Sequence, residues 1–140
     1  MKTYYAVIDT NVVVSAVLKH DSVPGAIVDM AFEGHIIPLL NFEIESEYRC
    51  VLSRPKFHLT EDIIETIIES FKEKGLYIDA EHIDVILPDP KDRVFYEVVM
   101  GERTHENAYL TGNIKHFPIE PFIVTPKQML NIILDNEDDV

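Results

Sequence analysis

Several residue types that would point to particular classes of protein are scarce or missing in this sequence. Of 140 residues, one is cysteine (Cys50) and none is tryptophan, so an internal disulfide and a cysteine-based metal cluster are both excluded. No apolar run approaches the ~20 residues that a membrane-spanning helix needs, and the N-terminus lacks a charged segment followed by an apolar signal region. We therefore expect a cytoplasmic protein with no membrane contact.

Basic residues are also few. Twelve Lys and Arg stand against 25 Asp and Glu, which gives a formal net charge of −13 and a field that repels nucleic acid. Four of the acids fall in residues 135–140, which we expect to form an acidic, disordered tail behind a single domain of residues 1–134. A polyanionic substrate must then be held by local basic residues or by bound cations.

Short apolar runs alternate with helical patterns along the chain. This alternation predicts an α/β fold with a mainly parallel sheet that helices cover on both faces. The predicted strands are 4–8, 35–40 (with Pro38 near an edge or bulge), 83–87, 108–111 and 122–124, and the predicted helices are 12–18, 24–33, 43–52, 61–74, 89–100 and 125–134. In such sheets, ligands bind at the carboxyl ends of the strands.

Polar side chains stand at several of these strand ends. Asp9 interrupts an apolar run directly after the first strand, and Thr111 and Asn113 follow "AYL" at the end of a later one. Asp92 has capping-box spacing from Asp89, but it also begins a stripe of residues that should face inward along its helix. An inward-facing acid needs a partner or a metal ion.

The third helix adds an acid that the pattern does not single out. Glu43, Glu45 and Glu47 lie around its buried stripe, and periodicity alone does not choose among them. Carboxylates gathered at strand ends repel each other unless a cation shares them, and oxygen ligands favour Mg²⁺ or Mn²⁺ over zinc. Ions of this kind bridge protein carboxylates and substrate phosphates, and they activate water for attack.

Four segments in this order resemble the PIN-domain family, in particular the toxin components of toxin–antitoxin systems. They are "VIDTNVVVSA" at 7–16, "EIESEYRCVLSRPKF" at 43–57, "LPDPKDRVFYEVV" at 87–99 and "YLTGNIKHF" at 109–117. The resemblance implies a three-layer α/β/α sandwich and a ribonuclease site that depends on Mg²⁺ or Mn²⁺.

Carried over by position, the resemblance implies which residues form the site. Asp9, Glu47 and Asp92 would be the catalytic acids and metal ligands, with Asn11 in support of Asp9, and this comparison selects Glu47 among the helix-three glutamates. Asn113 falls where the family usually has a fourth Asp, and an amide oxygen there is a neutral ligand. We therefore expect one metal ion to bind well, a second poorly, and cleavage to be slow.

Two other functions stay open at this point. One is a catalytically weakened module that binds RNA or a protein partner, and the other is a phosphatase of the haloacid dehalogenase type with Asp9 as nucleophile. Expected partners are an RNA substrate, an antitoxin protein and a second copy of the chain, which helices 61–74 or 126–134 would contact. The six dispersed histidines are interpreted as surface or loop residues.

Overall fold

Five parallel strands form the centre of the molecule in this computed structural model, which describes residues 3–103 and 107–137. The strands are β1 (Tyr4–Ile8), β2 (Ile36–Leu40), β3 (Leu76–Tyr77), β4 (Ala108–Thr111) and β5 (Ile123–Val124). They lie in the order β3-β2-β1-β4-β5, and each neighbouring pair is parallel. β1 is therefore the central strand, and all carboxyl ends meet at one edge.

Helices cover the two faces of the sheet and complete the three-layer α/β/α sandwich that the sequence predicts. They are α1 (Thr10–Leu18), α2 (Val23–Glu33), α3 (Phe42–Leu52), α4 (Glu61–Lys74), α5 (Arg93–Glu102) and α6 (Pro126–Glu137), with short 3₁₀ turns at Pro55–Phe57, Pro90–Asp92 and Ile114–His116. No helix in the described part of the chain is long and apolar enough to cross a membrane.

The run that opens the sequence is buried on both sides, as its composition predicts. Ala6, Val7 and Ile8 have no exposed surface, because helices pack on both faces of a central parallel strand. Each buried aliphatic side chain of this size contributes about 1.5–3 kcal/mol of transfer free energy. The core thus fixes β1 firmly and holds the next residue, Asp9, at the carboxyl edge.

Side-chain caps explain where several helices begin. Asn41 and Thr60 accept the backbone N–H groups of Ile44 (2.8 Å) and Ile63 (3.2 Å). At α6, Thr125 accepts the N–H of Gln128 (3.1 Å) while the Gln128 side chain accepts the N–H of Thr125 (2.8 Å), which is a reciprocal capping box. Such caps contribute about 1 kcal/mol each, and they confirm the predicted starts of α4 and α6.

One predicted strand is wrong. Residues 83–87 form no regular structure, and the fifth strand of the sheet is the two-residue β3 instead. The backbone N–H of Ile83 donates to the buried carboxylate of Glu97 at 2.7 Å, so this segment is anchored to α5 rather than to a neighbouring strand. Burial alternates within the segment, with Leu87 buried in the core and Ile86 exposed.

The sequence predicts Pro38 near an edge or bulge of the sheet, and the structure places it in the strand next to the edge strand. β2 is not the outermost strand, because β3 lies beside it, but β3 pairs only with Leu39 and Leu40. Pro38 pairs with Ala6 of β1 and precedes the part of β2 that β3 covers. The missing N–H of Pro38 is therefore not needed by a second neighbouring strand.

Several helix boundaries also differ from their predictions, and α1, for example, begins at Thr10 rather than at residue 12. The helix predicted at 89–100 begins as a 3₁₀ turn and continues as α5 to Glu102, and α6 continues to Glu137 rather than ending at residue 134. The remainder of the predicted acidic tail, residues 138–140, lies outside the described residues. The capping-box interpretation of Asp92 is wrong, because Asp89 caps the turn through the Lys91 N–H (3.0 Å) and Asp92 makes no cap hydrogen bond.

Candidate active site

The candidate site lies where the central strands β1 and β4 end side by side. Ile8 and Thr111 are register partners, and the N–H of Asp9 donates to the Thr111 carbonyl at 3.0 Å. Asp9 therefore follows the last paired residue of β1 and begins the turn into α1. Only 3% of its surface is exposed, so this residue is buried at the carboxyl edge of the sheet.

Gly112 lets the chain after β4 pass close to Asp9. A Cβ atom added to Gly112 would lie 2.4 Å from the Cβ of Asp9 and 2.6 Å from its Oδ2, which is closer than side-chain atoms approach. Glycine is required here for space rather than for an unusual dihedral angle, since its φ is not positive. The "TGN" segment therefore brings the backbone of residues 111–113 against the Asp9 carboxylate.

Burial and hydrogen bonding act on Asp9 in opposite directions. Desolvation raises its pKa above the ordinary value, while backbone N–H groups of Asn113, Asn11 and Thr10 and the nearby His116 lower it. Burial has the larger effect, so the pKa is raised on balance. The Asn113 N–H lies 3.5 Å from Asp9 Oδ2, and this is too long for a strong hydrogen bond.

Asp92 is the second acid of the site, and its pKa is shifted more than that of Asp9. Its side chain is 15% exposed, and its pKa is raised to about 6, first by desolvation and then by the charges of Asp9, Asp89 and Glu47, while His116 lowers it. These acids come from three separate parts of the chain. Their charges all act on the Asp92 carboxyl in the folded chain.

His116 was interpreted from sequence as a surface residue, but it belongs to this site. Its Nδ1 lies 3.5 Å from Asp92 Oδ2, and its Nε2 lies 3.3 Å from the side-chain amide nitrogen of Asn113. The available signal was its position three residues after Asn113, within the turn that follows β4. A histidine at that spacing reaches back to the strand end.

The structure separates the glutamates of α3 that periodicity did not separate. Glu45 is buried, accepts the Tyr77 hydroxyl at 2.7 Å and lies 3.5 Å from Arg49, so it has a structural role. Glu47 is half-buried and acts electrostatically on Asp92. Glu43 is exposed one turn before Glu47. Of the three, Glu47 alone is among the charges that perturb Asp92.

Tyr48, beside Glu47 in sequence, fixes α3 against the central strand. Its fully buried hydroxyl donates to the Ile8 carbonyl, and burial, followed by the charge of Asp9, raises its pKa well above the ordinary value. The phenol therefore remains a protonated donor. Because Ile8 directly precedes Asp9, this hydrogen bond sets the position of the helix that carries Glu47.

Asn113, predicted as a catalytic residue, and the predicted supporting residues Asn11 and Thr111 have three different environments. Asn11 is exposed, and its backbone N–H rather than its side chain acts on Asp9. The Asn113 side-chain oxygen accepts the Lys115 N–H at 3.2 Å, so it caps the following 3₁₀ turn. Thr111 is fully buried, and its hydroxyl has no hydrogen-bond partner within the described residues. The same holds for the hydroxyl of Thr10, next to Asp9.

These residues fit a hard divalent cation in their chemistry. The carboxylates of Asp9, Asp92 and Glu47 are oxygen donors, their charges raise the pKa of Asp92, and two buried hydroxyl groups nearby lack partners. Within residues 3–103 and 107–137, however, no three acidic, His or Cys side chains converge closely enough to enclose an ion. The side chains present would have to draw together around it.

The parallel sheet with helices on both faces and acids at its carboxyl edge defines a three-layer α/β/α protein. A family model described as "PIN domain" matches residues 5–115. The chain therefore belongs to the PIN domain family, whose members are generally nucleases that typically use divalent metals. The match leaves the phosphatase alternative without support. It includes Asp9, Glu47, Asp92 and Asn113.

A relative of similar length accompanies this match. "Uncharacterized protein MJ1680" of Methanocaldococcus jannaschii is 28% identical to this chain, in an alignment that covers 89% of this chain and 88% of the relative. Its printed name assigns no activity. The likeness therefore extends over most of both chains, and the nature of the reaction has to be argued from the site.

Proposed function

We propose that this protein is a divalent-metal-dependent endoribonuclease that hydrolyses RNA phosphodiester bonds. The observation that carries the proposal is the position of Asp92 at the carboxyl edge, where desolvation first, and then the charges of Asp9, Asp89 and Glu47, raise its pKa to about 6. Carboxylates that repel one another at the carboxyl edge of a parallel sheet are arranged for a cation rather than for structural stability. The PIN domain match supplies the class of reaction.

In this proposal Asp9, Glu47 and Asp92 hold the ion. When bound, Mg²⁺ or Mn²⁺ would neutralise these carboxylates, attract a phosphate and supply Lewis-acid activation of water. Asp9 is the fixed ligand, since β1 and the Gly112 turn enclose it. His116, 3.5 Å from Asp92 Oδ2, orients the Asp92 carboxylate and partly offsets its charge.

The direct test measures metal binding and cleavage with the same variants. Asp9→Asn and Asp92→Asn should each reduce the affinity for Mn²⁺, measured by calorimetry, and should reduce cleavage of a labelled single-stranded RNA by about 100-fold or more. Asp84→Asn is the matched control, because Asp84 is exposed and lies outside the site. Equal Mn²⁺ binding by the wild type and Asp9→Asn would contradict the proposal.

A weakened module that binds RNA or a protein partner is the second candidate, and the environment of Asn113 favours it. The Asn113 amide oxygen caps a turn, so the usual fourth acid is replaced by a side chain that is already engaged. Asn113→Asp separates the two candidates. A live two-ion site should gain Mn²⁺ affinity and cleavage rate from the added acid, whereas a module without activity should gain neither.

The biological setting is also a proposal. We propose that the protein acts in the cytoplasm as the toxin of a toxin–antitoxin pair, with cellular RNA as substrate, an antitoxin protein as inhibitor and a homodimer as the assembled form. The half-exposed Ile63 of α4 (47%) and Leu134 of α6 (43%) offer apolar surface for the dimer. Growth arrest by the wild type but not by Asp9→Asn tests the toxin role, and light scattering tests the dimer.

A further inference from the structure

A cleft of about 470 Å³ lies at the same carboxyl edge of the sheet, beyond the ends of β2 and β3. It is lined by Asn41, Phe42, Glu43, Tyr77, Ile78, Asp79 and Ala80. Asn41 directly follows β2 and Ile78 directly follows β3, so the cleft continues the edge on which Asp9 stands. The proposed reaction does not use any residue of this lining.

Two aromatic rings form one wall of the cleft. Phe42 is 79% exposed, and its ring centroid lies 5.4 Å from that of Tyr77, with 50° between the ring planes. A phenylalanine this exposed contributes little to the core, since most of its surface stays in water. Core packing therefore does not account for this side chain. Its free face is available to a ligand.

The Tyr77 ring is held in place by a chain of polar contacts. Its hydroxyl donates to Glu45 at 2.7 Å, Glu45 lies 3.5 Å from Arg49, and Arg49 pairs with Glu65 at 2.8 Å. Burial and the hydrogen bond to Glu45 raise the pKa of Tyr77 to about 12, so the phenol remains a donor. A fixed aromatic ring loses little conformational entropy when it binds a ligand.

The charge around the rings selects the kind of ligand. Glu43 and Asp79 are exposed in the lining, and no Lys or Arg is among the described lining residues. A nucleic-acid strand would bring its phosphates towards these two carboxylates. A cation instead gains from both the carboxylates and the aromatic faces, and a planar guanidinium stacks on such rings.

The edge of β3 adds a backbone feature to this cleft. The Ile78 N–H donates to the Leu40 carbonyl at 2.8 Å, so by alternation along the strand the N–H and C=O groups of Tyr77 face away from β2. β3 is the end strand of the sheet. An extended segment laid along this edge could pair with Tyr77 and place a side chain over the rings.

We propose that this cleft binds an arginine side chain presented by an extended segment of a partner protein. The guanidinium stacks on Phe42 and Tyr77, and the Glu43 and Asp79 carboxylates accept its N–H groups. The site is distinct from the acids around Asp92 and does not depend on the nuclease proposal, because its occupancy is measured without metal ions or RNA cleavage.

The test uses a fluorescein-labelled peptide of alternating threonine and valine with one central arginine, measured by anisotropy at low ionic strength in the presence of EDTA. The matched peptide carries citrulline, which keeps the shape of arginine but not its charge. We expect the arginine peptide to bind about ten-fold more tightly than the citrulline peptide. Phe42→Ala should weaken its binding about five-fold.

A double variant and two controls complete the design. E43Q combined with D79N should weaken binding of the arginine peptide about ten-fold and reduce its dependence on salt. Leu18→Ala and Glu73→Gln remove one exposed apolar and one exposed acidic side chain outside the cleft, and should leave binding unchanged. Circular dichroism spectra and unfolding curves confirm that each variant is folded.

Three outcomes would overturn the proposal. They are no saturable binding of the arginine peptide up to about 1 mM, equal binding of the two peptides, and an RNA oligonucleotide that binds in EDTA and loses affinity in Phe42→Ala. The last result would show that the rings stack on nucleobases. Protection of the Tyr77 N–H from hydrogen exchange in the peptide complex is expected, and its absence would refute the strand pairing.

Discussion

Replacing Asp92 by asparagine tests the electrostatics of the candidate site, because two opposite effects on stability are expected from one substitution. The pKa of Asp92 is raised from 3.8 to about 6, so the folded state holds the proton more tightly than the unfolded chain does. A shift of this size corresponds to about 3 kcal/mol of unfavourable free energy when the carboxyl is ionised in the folded protein. Asparagine removes that charge and keeps the shape.

The difference in stability between Asp92→Asn and the wild type depends on pH. Below about pH 4 the carboxyl is protonated in both states, so Asp92→Asn and the wild type should differ little. As the pH rises through 6, the wild type loses stability that the variant keeps. Near pH 7.5, without metal ions, we expect Asp92→Asn to be more stable by about 1–3 kcal/mol in urea unfolding. Asp84→Asn, at an exposed acid, should show no such gain.

Adding Mn²⁺ should offset the stability advantage of Asp92→Asn over the wild type. An ion present at 100 times its dissociation constant stabilises the folded protein by about 2.7 kcal/mol, and this gain should be largely lost in Asp92→Asn because one ligand is missing. The reasoning is refuted if the variant is less stable than the wild type at neutral pH without metal. It is equally refuted if Mn²⁺ stabilises both proteins by the same amount.

Three further substitutions test the surroundings of the site. Gly112→Ala places a methyl group 2.6 Å from Asp9 Oδ2. It should therefore lower the free energy of unfolding by about 1–3 kcal/mol and reduce Mn²⁺ binding. An unchanged urea midpoint would contradict the close approach. Tyr48→Phe leaves the buried Ile8 carbonyl without its donor and should cost about 1–3 kcal/mol, whereas a loss of a few tenths would assign that hydrogen bond little weight. His116→Ala should raise the pKa of Asp92 further, since His116 lowers it, and an NMR titration that shows a lower value would refute this.

Local signals predicted the parts of this fold that depend on few residues. The apolar run of β1 and the helical pattern at 61–74 each depend only on residues close together in the chain, and the structure confirms them. The two-residue β3 has no comparable sequence pattern, because it is a strand only through its pairing with two residues of β2. Residues 83–87 alternate like a strand, but the Glu97 carboxylate takes the Ile83 N–H, and that contact is visible only in three dimensions.

The site shows the same division between local and long-range information. Asp9 stands out because it ends a buried run, whereas the choice between Glu45 and Glu47 came from the family resemblance and not from helical periodicity. The burial of Glu45 depends on Tyr77, 32 residues away in the chain. His116 reaches Asp92 across 24 residues, so no local spacing in the sequence indicates this contact.

The two proposals together explain how a chain with a net charge of −13 could act on a polyanion and still be restrained. Without divalent ions, the carboxyl edge carries Asp9, Asp92 and Glu47 at one place and Glu43 and Asp79 at another, so it repels phosphate and attracts cationic side chains. A bound ion reduces the negative charge of the first group and lowers the attraction of the whole edge for a basic partner. Linked binding is reciprocal. An arginine segment in the cleft must therefore lower the affinity of the acidic site for the ion by the same factor by which the ion lowers the affinity of the cleft for the segment. On these proposals, the loaded site and the partner-bound cleft are opposing states of one edge, and a basic partner restrains the enzyme without touching Asp9.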